Sequence, residues 1–300
     1  MTFLTRARLS LLPAVLAVSS SAIFIRFAAA PPVGAAFWRG AIAGLAFLPL
    51  VLWPTFRREL LAVPLRQVGL IAAATTVIAT HQICFISSLS YTSVAASTFL
   101  TSTQPIFTAI LGGMLIREKV SPRAWLAIAG AVFGMAVITF SKPGSGGAFP
   151  NVLLGNGLAL LAALLASLYT LAARRLRQTT PLVPFMFIVH CAGTLFLAII
   201  IVITGVELTG YSSHTWLGLV LLGLIPTFIG HTLLTYAVRH LRAFVVNASI
   251  LGEPVGATLM AAIFFREAAS WQTLFGGAII IVCIMLVILE REVPPAVEKA

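Results

Sequence analysis

The chain has 300 residues, 60% of them hydrophobic and 9% charged, with a mean hydropathy of +1.06. Soluble domains carry roughly 25% charged residues, so this chain cannot cover a water-facing surface and most of it must face lipid or other lipid-embedded helices. The net charge of +11 would suit a nucleic-acid binder, but the basic residues sit in short clusters between apolar runs, a distribution that reads as membrane topology.

Crossing a bilayer takes about 20 apolar residues. Runs of that length predict ten spans, at 9–29, 33–53, 68–88, 93–116, 122–141, 152–172, 182–205, 215–237, 243–265 and 271–289. Breaks fall at Pro31-Pro32, Pro64, Pro122, the Gly-rich segment from Lys142 to Pro150, and Pro181. Arg6 and Arg8 ahead of the first run, with Ala28-Ala29-Ala30 after it, imitate a cleaved signal peptide, but a repeat of five spans plus five requires this one. Span 2 contains Arg39, expected toward its outer third. Cys84, Cys191 and Cys283 each lie singly in apolar runs and read as packing residues. Trp53, Trp216 and Trp271 fall at span ends, where interfacial anchoring accounts for them.

The positive-inside rule sets the expected orientation. With the N-terminus in the cytoplasm, fifteen Lys and Arg residues fall on inside segments, among them Arg57, Arg58, Arg174, Arg175 and Arg177. Arg26, Lys142 and Arg266 fall outside. Both termini are therefore expected in the cytoplasm.

Two stretches repeat one pattern. Gln104-Pro105, an apolar run to Arg117-Glu118 and then Ser121 recur as Glu253-Pro254, Arg266-Glu267 and Ser270, with a constant offset of 149. That spacing predicts an internal duplication, with one five-helix repeat over 1–148 and a second over 149–300. Five spans per repeat is an odd number, so the second copy crosses the membrane inverted. The expected fold class is all-α, with ten transmembrane helices in a five-plus-five inverted repeat around a central cavity.

The run Thr103-Gln104-Pro105-Ile106-Phe107-Thr108-Ala109-Ile110-Leu111-Gly112-Gly113 through Glu118, and its copy from Glu253-Pro254-Val255-Gly256-Ala257 through Glu267, resemble the EamA-like family of the drug/metabolite transporter superfamily. Arg39 and the repeat length agree with that resemblance, which covers essentially the whole chain. It implies a secondary transporter in a bacterial inner membrane, similar to YddG-type amino-acid exporters. It also implies that spans 3, 4, 8 and 9 lie nearest the cavity, with spans 5 and 10 peripheral.

Gln104 and Glu253 lie midway along spans 4 and 9, and an ionisable group at that depth faces a cavity or a partner. Glu253 reads either as a substrate-ammonium or proton site, or as a protonated, hydrogen-bonded structural residue. Pro105 and Pro254 each remove a backbone donor and bend their helices, while Gly252 and Gly256 flank Glu253 and allow close helix approach. His81 and Gln82 in span 3 correspond by the offset to Gly230 and His231 in span 8. Thr98, Thr101, Asn247 and Ser249, with Asn156, Ser167 and Tyr169 on span 6, are candidate polar lining. Trp38, Phe85, Phe99 and Tyr169 are candidates for an aromatic cage. Gly130 and Gly134 form a small-residue pair for packing within one chain, with dimerisation as the alternative.

A neutral cavity with few fixed charges suits a zwitterion whose own charges largely cancel, most simply an amino acid, aromatic ones included. Another small neutral or cationic metabolite or drug is the alternative cargo. An intramembrane enzyme is the distant one, because no H-E-x-x-H, G-x-S-x-G or Asp-rich motif occurs. No catalytic residue, cofactor or metal is expected. The expected partners are a small-molecule substrate and the lipid bilayer, not nucleic acid, with a monomer expected and a dimer as the alternative.

Overall fold

Prolines start the helices in the computed structural model, which describes residues 3–92, 97, 100–115, 120–140, 151–253, 255–256, 260 and 271–289. Pro31, Pro64 and Pro181 each occupy the position just before a helix, and Pro32 and Pro122 begin one. A residue with no N–H and a preset φ costs nothing there, because first-turn donors have no intrahelical acceptor. The helices are α1 (Phe3–Ser19), α2 (Ser21–Ala28), α3 (Pro32–Leu52), α4 (Pro54–Leu61), α5 (Leu65–Tyr91), α6 (Gln104–Leu115) and α7 (Pro122–Phe140). The rest are α8 (Val152–Leu176), α9 (Leu182–Thr204), α10 (Ser213–Leu222), α11 (His231–His240), α12 (Ala243–Ile250) and α13 (Trp271–Leu289), with a π-helical stretch, Gly223–Gly230, joining α10 to α11. Among the described residues every regular element is helical.

Among the described residues six helical stretches are long and apolar enough to cross a membrane: Phe3–Ile25, Pro32–Leu52, Leu65–Ser88, Val152–Leu176, Leu182–Thr204 and Ser213–His240. They coincide with the predicted spans 1, 2, 3, 6, 7 and 8. Spans 4 and 9 are described in part, and the terminal signatures Arg117-Glu118 and Arg266-Glu267-Ser270, like the joining segment Lys142–Pro150, lie outside the described residues.

Two spans depart from regular α-helix. Span 1 is interrupted after Ser19, where the Ser19 hydroxyl donates to the Val15 carbonyl at 2.7 Å and the Ser20 hydroxyl to Ala17 at 2.6 Å. Such back-bonding competes with the helix ladder and bends it. Span 8 widens into the π-helical stretch around Pro226, whose missing N–H already breaks the α pattern.

Helix pairs build the fold. α5 packs on α8, α3 on α9, α1 on α11 and the π-helical stretch, α6 on α12, and α7 on α13. Gly130 and Gly134 serve that last pair: a Cβ on Gly130 would lie 2.8 Å from Cys283 Sγ, and one on Gly134 2.8 Å from the Gly276 carbonyl oxygen. The main core gathers Leu11, Phe47, Phe185, Leu241 and Phe244, while Leu126, Leu195, Val202 and Ile203 stand exposed, as lipid-facing side chains do. At one end, Arg174 Nη1 donates to the Val238 carbonyl at 2.9 Å, tying the ends of α8 and α11 together. Arg177 is buried beside it, donating to the Thr180 carbonyl, and burial pulls its guanidinium down to about 10.

Candidate functional site

Spans 4 and 9 are interrupted at matching points. The Thr103 N–H donates to the Leu100 carbonyl at 3.2 Å in a tight turn before α6 begins at Gln104. The Gly252 N–H donates to the Ser249 carbonyl at 3.0 Å in the same way, just before Glu253. Helical backbone broken at membrane depth is stable only against protein or a watery space. Here both breaks border a central cavity of about 230 Å³, whose wall draws on α2, α3, α5, α8, α9, the π-helical stretch, α11 and α12.

Most of the polar residues singled out in the sequence reach this wall: His81, Gln82, Thr101, Gln104, Tyr169, His231, Asn247 and Glu253, together with Pro105. His81 Nδ1 lies 2.8 Å from the Ala162 carbonyl oxygen. A carbonyl only accepts, so Nδ1 carries the proton; in the neutral ring this leaves Nε2 an acceptor. The ring stacks on Phe85, which also lines the cavity. Asn247 joins three spans: its Nδ2 donates to Thr108 Oγ1 at 2.5 Å, and its Oδ1 accepts from Thr170 Oγ1 at 3.1 Å. The Gln104 carbonyl accepts from Thr108 Oγ1 at 3.0 Å and from Ser167 Oγ at 2.9 Å, so the break in span 4 is pinned to span 6. Among the described residues the Thr101 hydroxyl has no hydrogen-bond partner.

Other residues fall elsewhere. Ser249 is buried off the cavity, its hydroxyl donating to the Val246 carbonyl at 2.6 Å. Gly252 and Gly256 face α1: a Cβ on Gly256 would collide with Ser19 Oγ, and one on Gly252 would lie 3.0 Å from Val15 Cγ1. Ser167 and Asn156 hold helices together, Asn156 by accepting from Thr92 Oγ1 at 2.9 Å. Trp38 leaves the proposed aromatic cage, since its Nε1 donates to the Leu208 carbonyl and its ring meets Trp216 edge-on. Pro254, Thr98 and Phe99 lie outside the described residues.

The structure adds residues to the wall that the sequence does not single out as cavity lining. Arg39, expected toward the outer third of its span, is 8% exposed and sits on the cavity wall. Its Nε donates to Thr227 Oγ1 at 3.1 Å and its Nη2 to His231 Nε2 at 3.2 Å. A guanidinium only donates, so His231 accepts at Nε2 and is neutral there. Thr227 in turn donates to the Leu222 carbonyl at 2.7 Å, five residues back, so the wide turn itself orients the hydroxyl toward Arg39. His190 and Thr194 on α9 also line the cavity. Arg39 from span 2 and the carboxyl group of Glu253 from span 9 thus border one space, with apolar walls such as Ile78, Phe85 and Val189. Such a space can take a small solute that carries both signs.

Known proteins share this architecture. The profile of the EamA-like transporter family matches residues 6–140 and again residues 153–289. The chain belongs to the EamA-like transporter family. It is 27% identical over 73% of its length to the uncharacterized transporter YetK of Bacillus subtilis, covering 67% of that protein. It is 26% identical over 62% of its length to the uncharacterized transporter YdfC of the same organism, where the match spans only 60% of the relative. The uncharacterized transporter sll1319 of Synechocystis is 27% identical over 69% of this chain and 62% of its own. A solved crystal structure superposes with a TM-score of 0.79 over 94% of this chain and 96% of its own, at 19% identity, a likeness of fold alone.

Proposed function

We propose that the chain is a secondary, ATP-independent exporter of small zwitterionic metabolites, amino acids foremost, working by alternating access through the central cavity. The reading places ten spans in two inverted five-helix halves, 1–148 and 149–300, in a bacterial inner membrane with both termini cytoplasmic. The double family match, the helix pairings and the two helix breaks 149 residues apart support the repeat. Exchanging the halves maps α5 on α8 to span 8 on span 1, and it maps α6 on α12 and α7 on α13 onto themselves. A pseudo-twofold of this kind lets an outward opening become an inward one when the halves swap conformations.

The observation that carries the cargo assignment is the meeting of Arg39 and Glu253 on one cavity wall. A buried charge in the membrane is expensive unless it is paired, so each sign is best kept where a ligand of opposite sign arrives. An amino acid brings both. A dianion would meet a single fixed cation beside a carboxyl group, and a simple cation would leave Arg39 without a counter-charge. The chemistry is binding and reorientation, and the chain is read as a carrier, not an enzyme.

Proteoliposomes containing the purified protein and preloaded with unlabelled amino acid should accumulate the labelled form by counterflow. Counterflow for none of the twenty amino acids would refute the amino-acid assignment.

A further inference from the structure

We propose that the carboxylate of the cargo is held in a cradle formed by Arg39, His190 and Thr194, where spans 2 and 7 touch. The proposal rests on the transport reading above and specifies which end of the cargo docks where. Three polar groups there lack protein partners among the described residues. Arg39 commits Nε to Thr227 and Nη2 to His231, and among the described residues its Nη1 has no hydrogen-bond partner. His190 is 8% exposed, with its Nε2 buried and unpartnered, and the buried Thr194 Oγ1 is likewise unpartnered. Buried polar atoms are almost always satisfied, so orphaned ones on a cavity wall point to something that binds there.

The three residues line one cavity. His190 and Thr194 are four residues apart on α9 and therefore share a face. That face meets α3 beside Arg39: a Cβ on Gly40 would lie 3.1 Å from Thr194 Oγ1, and one on Gly44 3.4 Å from the His190 Cβ. The His190 ring is also stacked on Phe47 of α3, 5.7 Å between centroids, which fixes its plane. One cation and two neutral donors fit the lone pairs of a single carboxylate, since a hydroxyl and an imidazole N–H add to the guanidinium without adding charge. Thr227 and His231 are positioning residues: they hold the guanidinium so that the remaining nitrogen is presented to the cavity. With the carboxylate so held, the ammonium of the cargo lies toward Glu253, Gln104 and the His81 Nε2 acceptor, which share the wall.

The test uses the full-length protein and three probes of one shape: L-phenylalanine, 3-phenylpropionate, which lacks the ammonium, and phenethylamine, which lacks the carboxylate. Binding is read as ligand-induced thermal stabilisation in detergent and transport as counterflow in proteoliposomes. The two carboxylate-bearing probes should stabilise the protein, and phenethylamine should not. Thr194→Val, which keeps the shape and removes only the hydroxyl, should weaken binding of both carboxylates about tenfold while leaving the ligand-free melting temperature in place. His190→Phe should do the same and keep the stacking on Phe47. Equal stabilisation by phenethylamine, no stabilisation by either carboxylate, or unaltered carboxylate affinity in both variants would overturn the cradle. Carboxylate binding that the variants weaken, without counterflow of any probe, would uphold the cradle and remove the transport reading instead.

Discussion

The break at Leu100–Gln104 and the break at Ser249–Glu253 make the same turn, 149 residues apart, yet they carry different chemistry. The first ends on a neutral amide, Gln104, and the second on a carboxyl group, Glu253. Thr101 borders the cavity in the first, where the offset puts Ile250 in the second. Around the second, Gly256 presses on Ser19, while the corresponding position in the first is Phe107. The backbone turn is thus the same at both positions while the side chains around it differ. On the proposed reading, the shared turn would belong to the passage and the differing side chains to the choice of cargo.

Substitutions that erase or exaggerate this asymmetry should rank accordingly. Gly256→Val drives a branched side chain into Ser19 and should cost about 3 kcal/mol, read as a lowered melting temperature in detergent; an unshifted melting temperature would mean that span 9 does not need its close approach to α1. Glu253→Gln makes the two breaks alike at their key position. It should reduce amino-acid counterflow about tenfold, or about 1.4 kcal/mol, and flatten its dependence on pH. Unchanged rate and pH profile would return Glu253 to a structural role. Asn247→Ala removes the link from span 9 to Thr108 and Thr170 and should cost about 1 kcal/mol of stability, with counterflow slowed but present. Thr101→Val, which moves the first break toward its Ile250 counterpart, deletes a hydroxyl with no hydrogen-bond partner among the described residues. It should change stability by less than about 0.5 kcal/mol, so any loss of transport would report a contact with cargo.

Much of the scaffold was legible in the residues, because its signals are local. Apolar length marks the six long membrane helices, proline marks the helix starts, and the repeated Gln104-Pro105 and Glu253-Pro254 pairs mark both breaks. His81, His231 and Glu253 were found for the same reason, since each lies in a repeated segment or beside one. What escaped was chemistry without a counterpart. The offset pairs Arg39 with Ile188, His190 with Ala41 and Thr194 with Leu45, so a search for repetition passes over all three. That Arg39 reaches the cavity is not legible from its position along an apolar run, which says little about where a long side chain ends. Thr227 escaped because an α-helical wheel cannot represent the wider turn that aims it.

That wider turn carries one residue of slack. An eight-residue stretch wound at i to i+5 can tighten to ordinary α geometry only by passing the surplus residue along the chain, and each residue so passed rotates the downstream helix by about 100°. His231 is the first residue after the stretch and one of two clasps on Arg39. Rewinding the coil would therefore turn the clasp away and let the guanidinium go, a latch whose spring is written into the winding of a single helix.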